Sequence, residues 1–170
     1  MDEWADIVRQ YSPLVRKTAY RLLGNGADAA DCLQEVFLNA IRSYRPNDVR
    51  SWLGLLRRLT TCRAVDMLRQ RLREAGRVSD LADWTAVPCT KPGPGQAAED
   101  RELAAQLRLC LAQLPAQQAE VFCLACVEDL GHDEIAEHLG LAAGNVRVLL
   151  HRARARLRKL LPAPEASAER

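Results

Sequence analysis

The chain has 170 residues, enough for one domain or two small ones. Apolar residues make up 48% and aromatics only 5%, with Leu and Ala abundant and the strand formers scarce, so helices packed on helices are favoured over sheets. The net charge of +2 points to no partner class by itself, and no apolar run reaches membrane-spanning length. With no signal peptide read at its start, the expectation is a cytoplasmic protein without membrane insertion.

The first helix is predicted over Glu3–Leu23, where Trp4, Ile7, Val8, Tyr11, Leu14, Val15, Ala19 and Leu22 recur at spacings of three and four. Gly24, Asn25 and Gly26, which tolerate positive φ, end it. A second helix is predicted over 28–43, with an apolar stripe of Leu33, Val36, Phe37, Ala40 and Ile41 and a polar side of Asp28, Asp31, Gln34, Glu35 and Asn39. Pro46 marks a break before a long third helix over 49–74. Periodicity fails over 75–96, where Gly76, Pro88 and the run from Pro92 to Gly95 read as a linker that tethers without fixing orientation. Four further helices follow: 97–113, one starting at Pro115 and running to 127, 132–138, and 143–161. Pro162 and Pro164 stop the last one. The fold class is therefore all-α, with two small helical domains (1–74 and 97–162) joined by a flexible linker (75–96) and ending in a short tail (163–170).

The strongest local signal is the run from Asp133 to Leu141 followed by Asn145, Val146 and Arg147, which has the form of a helix-turn-helix. Ile135, small Ala136 and Leu139 face inward, Gly140 supplies a left-handed turn, Leu141 plugs the junction, and Val146 and Leu150 anchor the second helix. Asn145 and Arg147 are left facing outward, where a recognition helix meets base edges. His151, Arg152 and Arg154 continue along that helix and suit phosphates. The charge distribution agrees. Residues 57–77 hold seven arginines against Asp66 and Glu74, and residues 145–161 hold six basic residues and no acid. Two separated basic stretches suit two contacts with a polyanion, the plain alternative being two solvated helix faces.

These motifs carry a resemblance. Leu114-Pro115, Glu120-Val121-Phe122, the run 133–141, Gly144 to Arg147 and Leu150 to Arg154 resemble the carboxy-terminal domain of extracytoplasmic-function sigma factors. Arg21 to Gly24, Asp28 to Asp31, Gln34 to Ala40 and Asp66 to Arg69 resemble that family's amino-terminal domain. The resemblance implies a non-enzymatic sigma subunit without cofactor, whose partners are core RNA polymerase and promoter DNA, both duplex and melted non-template strand. An anti-sigma factor is the further partner it allows. It implies that Asp31, Gln34, Glu35, Phe37 and Leu38 dock on polymerase. It assigns the segment 44–51 and the start of the third helix to an unstacked base, with Tyr44 or Trp52 as the stacking residue and Arg45, Arg50, Arg58, Arg63 and Arg69 on phosphates. Trp52 equally fits the apolar stripe. Two features are unusual for the family: Ala142 and Ala143 stand where a Ser or Thr usually caps the recognition helix, and apolar Val148 and Leu149 stand where a basic residue is common.

Two rivals come from other classes. A stand-alone helix-turn-helix regulator would bind duplex alone, as a dimer on paired half-sites. A thiol- or metal-dependent protein would be built on Cys123 and Cys126, with His132 or His138 nearby. The apolar helix around those cysteines, with Phe122, Leu124 and Val127, reads instead as core, and nothing pairs Asp133, Glu134 or His138 with a nucleophile.

Overall fold

A computed structural model describes residues 3–77 and 96–161. Among the described residues there are seven α-helices, one 3-10 turn and no strand. The linker core and the tail expected from the sequence lie outside the described residues.

Helix α1 (Glu3–Leu23) buries Ile7, Val15, Thr18, Ala19, Leu22 and Leu23, the stripe its periodicity predicts. Gly24 then takes φ +79, and α2 (Gly26–Ser43) starts at once because the Asn25 side chain accepts the Asp28 N–H at 2.8 Å. The segment expected only to end α1 thus also caps α2, two residues earlier than the sequence suggests. The break at Pro46 is a 3-10 turn (Pro46–Asp48), and α3 (Trp52–Arg77) begins where Ser51 Oγ accepts the Gly54 N–H at 3.2 Å. These three helices enclose a core of Val15, Ala19, Leu22, Ala29, Cys32, Val36, Leu56, Ala64 and Leu68. Trp4 and Trp52 close one end edge-to-face, with ring centroids 5.1 Å apart.

In the second half, α4 (Gln96–Ala112) leads through Leu114 and Pro115 into α5 (Ala116–Cys126), then α6 (His132–Leu139) and α7 (Ala143–Leu160). The turn between α6 and α7 is built as the sequence demands. Gly140 sits at φ +63, and the Leu141 N–H returns to the Ala136 carbonyl at 2.9 Å. Val121, Leu124, Ile135, Ala136, Val146 and Leu150 form the core behind it.

The halves are not beads on a string. One apolar cluster runs from the α1–α3 core into Cys110, Leu111, Leu114, Ala119, Cys123, Ala153 and Leu157. Polar contacts stitch the seam. Arg108 Nε on α4 donates to the Leu22 carbonyl at the end of α1 at 2.9 Å, and Arg21 Nη1 donates to the Val127 carbonyl at 3.1 Å. A cation at a helix carboxy terminus is favoured by the dipole as well as by the hydrogen bond. An independent orientation of the two halves, as the linker composition suggests, is not what the packing displays. Their facing apolar residues bury each other, and this long-range pairing is absent from any local pattern.

Candidate functional site

Two outward faces and one inward face carry the candidate residues. The first outward face is on α2. Asp31, Gln34, Glu35 and Leu38 fall on one stripe at helical spacing, all exposed, Leu38 at 49%. Phe37 does not join them. It is 5% exposed and packs in the core beside Val36 and Ala40, because a residue one step from Val36 falls within the same buried arc. The expectation that Phe37 meets a partner is corrected to Leu38, with Ile41 (45% exposed) extending the apolar patch. Beside the stripe lies an open groove lined by Glu35, Leu38, Asn39 and Arg42 of α2 and Leu59 and Arg63 of α3, with Glu35 and Arg63 paired across it.

The second outward face is on α7. Val146, Leu150, Ala153 and Leu157 anchor the helix, leaving Gly144, Asn145, Arg147, Val148, His151, Arg152 and Arg154 exposed. Every residue expected on the recognition helix is on that face. Val148, read from the sequence only as a departure, stands 46% exposed between Arg147 and His151. It is the residue the sequence reading passed over. The clue was its position one turn from Gly144 and His151, since the anchoring stripe is complete without it. No side chain caps α7 at Ala142, whose carbonyl accepts the Asn145 N–H at 2.9 Å and the Val146 N–H at 3.2 Å.

The inward face is the arginine side of α3. Arg45 and Arg50 are exposed in the connection before it, as is Tyr44, whereas Trp52 is half-buried against Trp4. The helix arginines are already engaged. Arg58 Nε donates to Glu120 Oε1 at 2.9 Å, Arg69 Nη2 donates to the Leu114 carbonyl at 2.9 Å, and Arg63 pairs with Glu35. Arg57 Nε lies 3.1 Å from Glu128 Oε2, off the axis of its N–H, so this is a charge contact rather than a hydrogen bond. The other Glu128 oxygen accepts the Thr18 hydroxyl at 2.7 Å.

The cysteines behave as core. Cys123 is fully buried and Cys126 exposed, and among the described residues no cluster of three or more His, Cys, Asp or Glu could hold a metal. Burial pushes the Cys32 thiol from the usual 9.0 up to about 12. Burial does the same to Cys62, whose thiol also donates to Glu120 at 3.3 Å. Burial pushes Cys123 higher still. Such thiols are poor nucleophiles. The linkage has a definite sign. Below pH 9 both folded and unfolded chains keep the proton, and the stabilisation is whole; above it only the unfolded chain loses the proton, so stability falls with rising pH between about 9 and 12. For Cys32 the slope is about 1.4 kcal/mol per pH unit. Denaturant midpoints taken from pH 8 to 11 should therefore fall less steeply for Cys32→Ala than for the wild type.

Comparison with known proteins bears on both halves. The Sigma-70 region 2 family model matches residues 7–74, and the Sigma-70, region 4 model matches residues 104–157. The chain is 38% identical to the ECF RNA polymerase sigma factor SigE of Mycolicibacterium smegmatis over 95% of its own length, and spans 62% of the length of that relative. It is 31% identical to the RNA polymerase sigma factor CarQ of Myxococcus xanthus, covering 94% of this chain and 90% of that one. In fold it is similar to the sigma factor RpoE of Bartonella quintana, solved in complex with the anti-sigma factor NepR, with a TM-score of 0.55, 20% identity, and coverage of 94% of this chain and 97% of that one. Among the described residues, no helix is long and apolar enough to cross a membrane.

Proposed function

The chain belongs to the extracytoplasmic-function RNA polymerase sigma factors, and we propose that it binds core RNA polymerase and directs it to specific promoters as a non-enzymatic subunit. The division of labour follows the domains, 1–74 for polymerase and the minus-ten element and 97–162 for upstream duplex. The α2 stripe of Asp31, Gln34, Glu35 and Leu38 docks on the polymerase, with charged residues around one exposed apolar anchor. Arg45 and Arg50 meet the melted non-template strand, with Tyr44 as the exposed stacking residue. Asn145 and Arg147 read base edges from α7, while His151, Arg152 and Arg154 hold phosphates. An anti-sigma factor is the regulatory partner, as the neighbour from Bartonella quintana has one. The observation that carries the reading is the pair of outward faces: a mixed acidic-apolar stripe on one half and an acid-free basic recognition helix on the other. A stand-alone regulator needs only the second.

The test is retention of core RNA polymerase by the tagged chain beside an Asp31→Arg/Glu35→Arg variant whose helicity matches the wild type by circular dichroism. Retention by the wild type and loss by the variant are expected. No retention by the folded wild type would overturn the reading.

Val148 adds a specificity element. An exposed valine flanked by Arg147 and His151 suits the C5-methyl group of a thymine, the apolar landmark of the major groove. With polymerase present, Val148→Ala is expected to weaken promoter binding about fourfold, about 0.8 kcal/mol for one lost methyl contact. Replacing the contacted thymine by uracil should cost the same, and the two changes together no more than either. Additive losses would show that Val148 does not touch that methyl.

A further inference from the structure

The arginine side of α3 faces the second half of the chain rather than solvent. Gly54, Arg57, Arg58, Cys62 and Arg69 line it, and each meets a partner there. The His138 ring of α6 lies over Gly54 so closely that a Cβ on that glycine would come within 2.1 Å of Nε2. Glu128 reaches Arg57, Glu120 reaches Arg58 and Cys62, and the Leu114 carbonyl takes Arg69. Glu128 has 3% of its side chain exposed and Glu120 has 12%, so these carboxylates are held away from water and are little screened by salt. Two anionic groups placed against an arginine stripe offer what nucleic-acid phosphates offer.

The closed seam is also imperfect. His138 Nδ1 and Arg57 Nε are buried without a hydrogen-bond partner, each a cost that separation would relieve by hydration. Meanwhile the α2 groove and the exposed face of α7 stay on the outside. Closure therefore covers one nucleic-acid face and leaves the polymerase-docking face open.

We propose that this packing is an autoinhibitory clasp, in which Glu120 and Glu128 occupy the α3 arginines of the free chain and compete with nucleic acid for them, so that docking through α2 precedes exposure of the stripe. The proposal rests on the sigma reading of α3. If only a fraction of free chains is open, apparent affinity for DNA falls by that fraction.

The test uses the full chain without polymerase, a short fluorescein-labelled single-stranded DNA, and small-angle scattering to report expansion. Glu120→Gln/Glu128→Gln keeps shape and removes the two charges. Glu99→Gln/Glu102→Gln, on the exposed start of α4, makes the same change in net charge away from the seam. Gly54→Leu wedges the seam with no change of charge. Expansion and about tenfold tighter DNA binding are expected for the glutamine pair and for Gly54→Leu, with neither for the α4 control. Variants as compact as the wild type, or expanded variants that bind DNA no better than it, overturn the clasp. Expansion with no DNA binding by any form overturns the clasp together with the nucleic-acid reading of α3, whereas polymerase retention tests the sigma reading on its own.

Discussion

The Glu128→Ala variant is expected to lose about 3 kcal/mol of the free energy that holds its two halves together, and to show two denaturation transitions where the wild type shows one. The reason is an asymmetry. An intact buried pair is worth little against an apolar replacement, because desolvation offsets most of the attraction. Removing one member leaves the other buried and uncompensated. Here the survivors would be the Arg57 guanidinium, 21% exposed, and the Thr18 hydroxyl in a residue that is 1% exposed. Separation of the halves hydrates both, so the loss should appear as opening before either half unfolds. Arg57→Leu/Glu128→Leu removes both charges and should restore a single transition. Urea titration followed by circular dichroism and tryptophan fluorescence reads both results, since Trp4 and Trp52 report on the first half alone. Coincident, unshifted transitions for Glu128→Ala would show that the pair does not hold the seam.

Gly24→Ala should cost more than Gly140→Ala, although both glycines have positive φ. A left-handed backbone charges any L side chain about 1–2 kcal/mol, and φ is +79 at the first and +63 at the second. The surroundings differ. Nothing lies within 4 Å of a Cβ built on Gly140, so its substitution carries the conformational cost alone. A Cβ on Gly24 would meet the Arg108 guanidinium at 2.5 Å. That side chain can swing aside, but only by giving up its hydrogen bond to the Leu22 carbonyl at the end of α1. The added loss is about 1 kcal/mol, bringing Gly24→Ala to about 2–3 kcal/mol, or roughly 4–12 °C in Tm for a chain of this size. Thermal melts of the two variants and of Arg108→Ala would check it. Equal shifts for the two glycines would mean that Arg108 contributes nothing at that junction.

How much of this was legible beforehand depends on the range of the interaction. The helix-turn-helix was readable because its demands are local: a left-handed residue at 140, a small one at 136, and anchors at 146 and 150 separated by one turn. The two connections were harder. Asn25 looks like a helix stop, and only the neighbouring Asp28 N–H shows that it starts α2. Phe37 illustrates the limit of a stripe argument, since its place at the edge of the apolar arc suits either core or surface until α1 and α3 are packed around it. The arginines of α3 were the least legible. Their clustering suggested a polyanion, and the anions they meet in this fold, Glu120 and Glu128, come from α5 and the segment after it. No window of local sequence contains both partners.

The contact of His138 with Gly54 has a consequence for variation along the chain. Two positions far apart in sequence divide a single small volume, and the imidazole takes all of it. A chain that keeps its halves closed cannot enlarge residue 54 without shrinking residue 138. A pair of substitutions at these positions should therefore be tolerated in one order and not the other: first the loss of the ring, then the gain of a side chain on α3.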